Sequence, residues 1–342
     1  MTTYKTIKVL QGITPDNIPT DVIAAAEPVI LKQLVSNWPL VRAGRISDRA
    51  SVDYLKYFYN GNTSIVCKIP SENNGRMFYS DNCTTLDYES FKGRIDETLE
   101  TILASAGKAD EPALYIASNI IDTHFPGLRE ANQLIIPRAM HPDAMAERVS
   151  IWIGAATTAT CHFDALDNIA CCVAGKRRFT VFPPDQISNL YPGPLEPTPG
   201  GQVISLVDFK NPDFEKFPRF QAALANAQVA ELEPGDAIYL PNMWWHHVES
   251  LAPYNILVNY WWDNSPAFLM SGMNALYAAM LGIRDKSDHE REGWKHIFNH
   301  YIFNGAEAAN NYIPKEARGF LQPLERIDAR KLRALLINKL NR

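Results

Sequence analysis

Between residues 114 and 262 the hydrophobic positions come in short bursts cut by Gly, Pro, Asn and Asp: ALYIASNII, RVSIWIGAA, TATCHFD, NIACCVAG, RRFTVFPP, VAELEPGDAIYLP, WWHHVESL and YNILVNYWW. Runs rich in β-branched and aromatic residues, punctuated in this way, predict strands of an antiparallel sandwich or barrel. On both flanks the period becomes helical. Val52, Leu55 and Phe58 in SVDYLKYFYN share a face, as do Phe91, Ile95, Leu99 and Ile102 in DYESFKGRIDETLETILASAG, and both stretches predict amphipathic helices. NTSIVCKIP and RMFYSD, separated by SENNG, predict a hairpin. After Trp262 the stretches SPAFLMSGMNALYAAMLGIRD, GWKHIFNHYIF and DARKLRALLINKLNR are again helical. The expected fold is mainly β with flanking helices: an N-terminal helix and strand region over 1–110, a β core over 111–265, and a helical region over 266–342. One insert, from Tyr191 to about Gln228, is too rich in Pro and Gly to be sheet throughout.

Composition narrows the class. The 342 residues are 46% hydrophobic and 21% charged, enough for a sizeable core. A net charge of -5 without any long basic run argues against a nucleic-acid partner, whose binding is driven by clustered Lys and Arg. The N-terminal stretch has no signal-peptide pattern and no run approaches about twenty apolar residues, so neither export nor a membrane partner is expected. Five cysteines, an odd number with no CxxC, fit a reducing cytoplasm. Cys171 and Cys172 are adjacent on one expected strand and so should enter the core on opposite faces. Leu332, Leu335, Leu336 and Leu340 form a terminal apolar stripe, to be buried within the chain or in a homodimer.

Chemistry concentrates at TCHFDALD. His162 and Asp164 are two apart and project from one face of a strand. A lone carboxylate inside an apolar barrel is costly unless it is paired or binds a cation. PGDAIYLPNMWWHHVESL supplies a third ligand, His246 or His247, and periodicity does not choose between them. Two His and one carboxylate with open positions make the facial triad of non-haem Fe(II) oxygenases. His296 and His300 have a ligand spacing on a helix but no evident acidic partner, and are expected to be surface or core residues.

HFD, GKRRFTVFPPDQ, NPDFEKFPRF, PGDAIYLP, WWHHVESL and NYWW, in this order, resemble the Jumonji C family in its bacterial cupin-like branch. The pattern is similar to that of the asparaginyl hydroxylases acting on hypoxia-inducible factor, over about residues 25–265. The resemblance implies a double-stranded β-helix, a jelly-roll variant, using Fe(II) with 2-oxoglutarate as co-substrate. It implies His162, Asp164 and His246 as metal ligands, with Val248 on the same face as His246 and His247 turned away and hydrogen-bonded. For 2-oxoglutarate it implies Tyr115, Asn168, Asn259 and the wall residue Trp261. The family's Lys for the distal carboxylate is here Arg177, with Lys176 and Arg178 as alternative cations. A family Thr is replaced by Ala159, leaving Thr160 or Thr158 to take its role. The implied function is hydroxylation of a peptide or protein side chain, or of a small amino-acid-like substrate, with Tyr79 and the insert near the substrate entrance. The rival readings are a metal cupin enzyme that does not use 2-oxoglutarate and a non-catalytic cupin-fold binding protein. Histone demethylation is disfavoured, since the sequence carries no reader module and no Cys/His zinc set.

Overall fold

Every residue of Asp167–Ala174 and of Asn255–Trp262 is buried. These strands are covered on both faces, which is why they read as nearly unbroken apolar runs rather than as alternations. They sit at the middle of a nine-stranded sheet in the computed structural model, which describes residues 4–137, 141–305 and 310–341. In chain order the strands are β1 (Lys8–Leu10), β2 (Val29–Leu31), β3 (Thr63–Ile69), β4 (Arg76–Met77), β5 (Glu89–Arg94), β6 (Ala113–Ile120) and β7 (Arg148–Gly154). They continue as β8 (Thr158–Phe163), β9 (Asp167–Ala174), β10 (Arg177–Phe182), β11 (Gln228–Leu232), β12 (Ala237–Leu240), β13 (Trp245–Ser250) and β14 (Asn255–Trp262). The larger sheet runs β1-β2-β12-β9-β14-β7-β6-β3-β5, and a five-stranded sheet runs β11-β10-β13-β8-β4.

Between the sheets lies an apolar layer drawn from both: Ala170, Cys172, Ile238 and Leu257 from one side, Phe179, Val181, Leu232 and Val248 from the other. The opposite face of the larger sheet, with Ile169, Cys171, Val173 and Val258, joins a second layer covered by helices Pro39–Ile46, Asp48–Phe58 and Ile95–Ser105. Cys171 and Cys172 therefore do face opposite sides, each as a buried free thiol. Ile95, Leu99 and Ile102 are fully buried, and burial of each such side chain stabilises by about 1.5–3 kcal/mol. The result is the mainly β, jelly-roll arrangement with flanking helices expected from the sequence.

Two local expectations are corrected. β3 and β4 form no hairpin: β3 pairs with β5 and β6, while β4 crosses to the smaller sheet and runs parallel to β8. The crossing turn places Asn74 and Gly75 at positive φ, and a Cβ on Gly75 would lie 2.1 Å from the Ala156 carbonyl oxygen. That close approach turns the chain away from the hairpin path. The stretch from Asp87 is likewise not helical throughout. Glu89–Arg94 is an edge strand in register with β3, and the helix starts only at Ile95. Phe91 matches the helical period by coincidence and is exposed, because the backbone of β3 gains a ladder partner if this stretch is extended.

The chain divides into two compact units, 1–139 with 146–263 and 140–145 with 264–342. In the second, helix Gly272–Ala279 continues through a wider turn to Arg284, and Asp288–Phe298 starts from a capping box of Ser287 and Glu290. Arg326–Leu340 forms the last helix. Of the terminal stripe, Leu332 is half-buried while Leu335, Leu336 and Leu340 are exposed. Among the described residues no helix is long and apolar enough to cross a membrane.

Candidate metal centre and adjoining cavities

β8 and β13 are antiparallel with His162 directly opposite His246, so their side chains leave the same face of the smaller sheet. The two imidazole centroids are 4.3 Å apart. Asp164 lies one residue beyond the end of β8, its backbone carbonyl accepting from Met243 N at 2.7 Å, and its Oδ2 is 3.7 Å from His246 Nε2. One ligand atom from each of the three residues falls within 4.8 Å of the others. Among the described residues this is the group with the composition and spacing to hold a metal ion.

The histidines are oriented by their own strands. His162 Nδ1 is 2.8 Å from the Thr160 carbonyl oxygen, and His246 Nδ1 is 2.9 Å from that of Trp244. An Nδ1–H donated to a carbonyl leaves Nε2 with its lone pair, the form in which imidazole binds a cation. Burial pushes His246 down to about 4, helped by the neighbouring His162 and opposed by Asp164 and by the Trp244 carbonyl. The ring is neutral at pH 7.

Strand alternation separates the two adjacent histidines. The register of β13 against β8 shifts between His246 and Val248, and His247 lies at that irregularity, stacked 4.4 Å from Phe209. Neither of its ring nitrogens has a hydrogen-bond partner, so aromatic packing replaces the hydrogen bond implied by the resemblance. Burial pushes His247 down to about 3. His296 is exposed on its helix, 3.5 Å from Glu292 one turn earlier.

The triad opens on an inner cavity of about 60 Å³ that Tyr115, Asn168, Arg177, Asn259 and Trp261 also line. Arg177 is 3% exposed, and its Nε and Nη2 have no partner. Burial lowers its affinity for the proton, and the Tyr115 hydroxyl beside it acts in the opposite direction. Burial pushes Tyr115 up to about 12 against the pull of Arg177. The other cations of the turn face elsewhere: Lys176 and Arg178 pair with Glu231 at 3.0 and 2.8 Å. Asn259 Nδ2 donates to Asn168 Oδ1 at 2.8 Å, leaving Asn259 Oδ1 unpartnered. Thr160 is not in this lining. Its hydroxyl donates to the Met77 carbonyl at 2.9 Å, and it borders an outer cavity of about 340 Å³ that shares Tyr115, Trp152, Ala159, His162, Asp164 and Trp261 with the inner one. Thr158 borders a separate pocket with His247, while Ala159 lines both of the cavities at the triad. Tyr79 is buried, and the insert reaches the outer cavity through Pro199, Gly200, Gln202 and Ile204.

Trp152 was not anticipated from the sequence. It lies between Tyr115 and Trp261, at ring-centroid separations of 5.9 and 5.8 Å. The signal was present in RVSIWIG, where Arg148, Ser150 and Trp152 interrupt a Val and Ile strand at every second position.

A family model described as a cupin-like domain matches residues 15–268. This chain belongs to that cupin-like family. It is similar to HSPB1-associated protein 1 of Rattus norvegicus, 26% identical over 269 residues that cover 74% of this chain and 52% of the relative. The chain thus spans about half the length of that protein. It is also similar to tRNA wybutosine-synthesizing protein 5 of Gallus gallus, at 28% over 275 residues (75% and 77% of the two chains). A third relative is Jumonji C domain-containing protein 5 of Drosophila melanogaster, at 25% over 254 residues (72% and 57%).

Proposed function

We propose that this cupin-like protein is an Fe(II)- and 2-oxoglutarate-dependent oxygenase that hydroxylates a peptide or protein side chain or a small amino-acid-like substrate. The observation that carries the reading is that His162, Asp164 and His246 face the same cavity as a buried guanidinium with unpartnered N–H groups. Two imidazoles and one carboxylate suit Fe(II) and leave positions for further ligands. Arg177, with the Tyr115 hydroxyl, would take the distal carboxylate of 2-oxoglutarate through charge-assisted hydrogen bonds that its unpartnered nitrogens otherwise lack. Asn168 and Asn259 would orient the co-substrate, Trp261 would exclude water from it, and Thr160 would border the substrate side. Bound together, iron and 2-oxoglutarate supply the activation of dioxygen that yields succinate, carbon dioxide and a hydroxylated product. The chain's own task is to hold these groups and to shield them from solvent.

Anaerobic titration of the metal-free protein with Fe(II) and 2-oxoglutarate tests the reading through the visible charge-transfer band of the chelate. The expected band requires both additions and is absent in His246→Ala. Iron binding without a band in the wild type would refute 2-oxoglutarate use and favour a metal cupin of other chemistry. A band without succinate release across a substrate screen would favour a non-catalytic binding protein.

The five free thiols support a reducing, cytoplasmic location. The exposed Leu335, Leu336 and Leu340 support a homodimer through the last helix. Leu336→Glu should then halve the mass measured by light scattering.

A further inference from the structure

One side chain at the mouth of the site has no task in the reading above. Arg148 stands on β7 directly opposite Trp261 of β14, and its guanidinium carbon is 4.7 Å from the centre of the Trp261 ring. Trp261, Trp152 and Tyr115 form a continuous aromatic wall, with Arg177 beside Tyr115 at its buried end and Arg148 at its open end. Among the described residues lining the outer cavity of about 340 Å³, Arg148 is the one Lys or Arg and Asp164 the one carboxylate. Among the described residues Arg148 makes no ion pair. The neighbouring Glu147 reaches Arg129, in a contact shorter than an ordinary hydrogen bond.

A guanidinium lying over an indole face keeps its in-plane N–H groups available, and their fork matches a carboxylate or a phosphate. Two further donors, Trp152 Nε1 and Trp261 Nε1, are buried without a partner in the same wall. These two are enclosed, so the Arg148 guanidinium is the donor that stands at the open end of the wall, and the carboxylate of the same cavity belongs to the metal triad.

We propose that Arg148 is a specificity-determining residue that selects a primary substrate bearing an anionic group, carboxylate or phosphate. It would hold that group at the open end of the wall while the carbon to be hydroxylated faces the triad. The assignment rests on the oxygenase reading for the use made of the bound substrate, but not for the binding itself.

The test is anaerobic titration of the Mn(II)-loaded protein, with and without 2-oxoglutarate, using N-acetyl amides of aspartate, glutamate and phosphoserine against those of asparagine, glutamine and serine. Quenching of tryptophan fluorescence is the readout. Charge-assisted contacts predict about tenfold tighter binding of the anionic member of a pair or more. Arg148→Gln should bring the two members to parity and Arg148→Lys should keep part of the preference, with Mn(II) binding in the same samples as the folding control. The preferred member distinguishes a carboxylate from a phosphate substrate. Equal binding of anionic and neutral probes, no binding of either at millimolar concentration, or a preference that survives in Arg148→Gln would overturn the proposal. Failure of 2-oxoglutarate to bind would instead remove the oxygenase reading, leaving the anion preference of the metal-loaded protein to be read separately.

Discussion

Replacing Arg177 with Met should make the protein without 2-oxoglutarate more stable and weaken the binding proposed for that co-substrate. The guanidinium is 3% exposed, and two of its nitrogens, Nε and Nη2, are buried without a partner. Leaving a buried donor unsatisfied costs about 1–3 kcal/mol, and more on a charged group, so removing both should relieve about 2–4 kcal/mol. Loss of the interaction with the Tyr115 hydroxyl offsets about 1 kcal/mol of that. Methionine has similar reach and would meet Phe179, Val248 and Leu257 along the cavity. The net expectation is a gain of about 1–3 kcal/mol, in the range seen when buried charges are replaced by apolar groups. At a hundred times its dissociation constant, 2-oxoglutarate should stabilise the metal-loaded wild type by about 2.7 kcal/mol, and the variant should lose most of that protection. Urea unfolding of Mn(II)-loaded protein, with and without 2-oxoglutarate, measures both quantities. A variant destabilised by more than about 1 kcal/mol would show Arg177 to be a structural cation, and full protection retained in the variant would place the distal carboxylate elsewhere.

The two adjacent histidines should separate cleanly: His246→Ala abolishes Fe(II) binding by calorimetry, whereas His247→Phe keeps it, since His247 stacks on Phe209 and holds no partner. Asp236 is fully buried and accepts from Lys32 Nζ, from the backbone N and Nε2 of Gln33 and from Glu233 N, so Asp236→Ala should cost about 3–5 kcal/mol in urea unfolding. Burial raises the Asp236 carboxyl, but Lys32 and these N–H donors outweigh it and leave it below the ordinary carboxylate range. Its stabilisation is therefore present above about pH 4 and lost as pH falls through the lowered value, a loss that Asp236→Asn should not show in acid titrations of stability. Gly75→Ala would put a Cβ 2.1 Å from the Ala156 oxygen at positive φ, and should cost at least about 2 kcal/mol by thermal unfolding while loosening β4 from β8.

Much of the site was legible in the chain because its signals are local. His162 and Asp164 stand two apart, and the WWHH pair announces a ligand in a neighbouring strand. The GKRR turn contains the cation that faces the cavity, but only resemblance singled out Arg177 from Lys176 and Arg178. Packing decides it: Glu231 draws the two flanking cations outward while the middle residue of the three is enclosed between the sheets. Thr160 illustrates the limit of periodicity, since it shares the alternation of His162 yet its hydroxyl is taken by the Met77 carbonyl of β4.

The β core, the helical flanks, the opposite facing of Cys171 and Cys172 and the residue types of the triad could be read from the chain, because each follows from spacing along one strand or helix. Only the folded chain settles that β3 and β4 belong to different sheets and that Glu89–Arg94 is an edge strand, and it is the register of β13 that sets His246, the ligand the resemblance implies, opposite His162. These outcomes depend on which distant backbone supplies hydrogen bonds and on where a register shift falls. No window of sequence contains that information, since the partners lie tens of residues away and are chosen by the burial of whole faces.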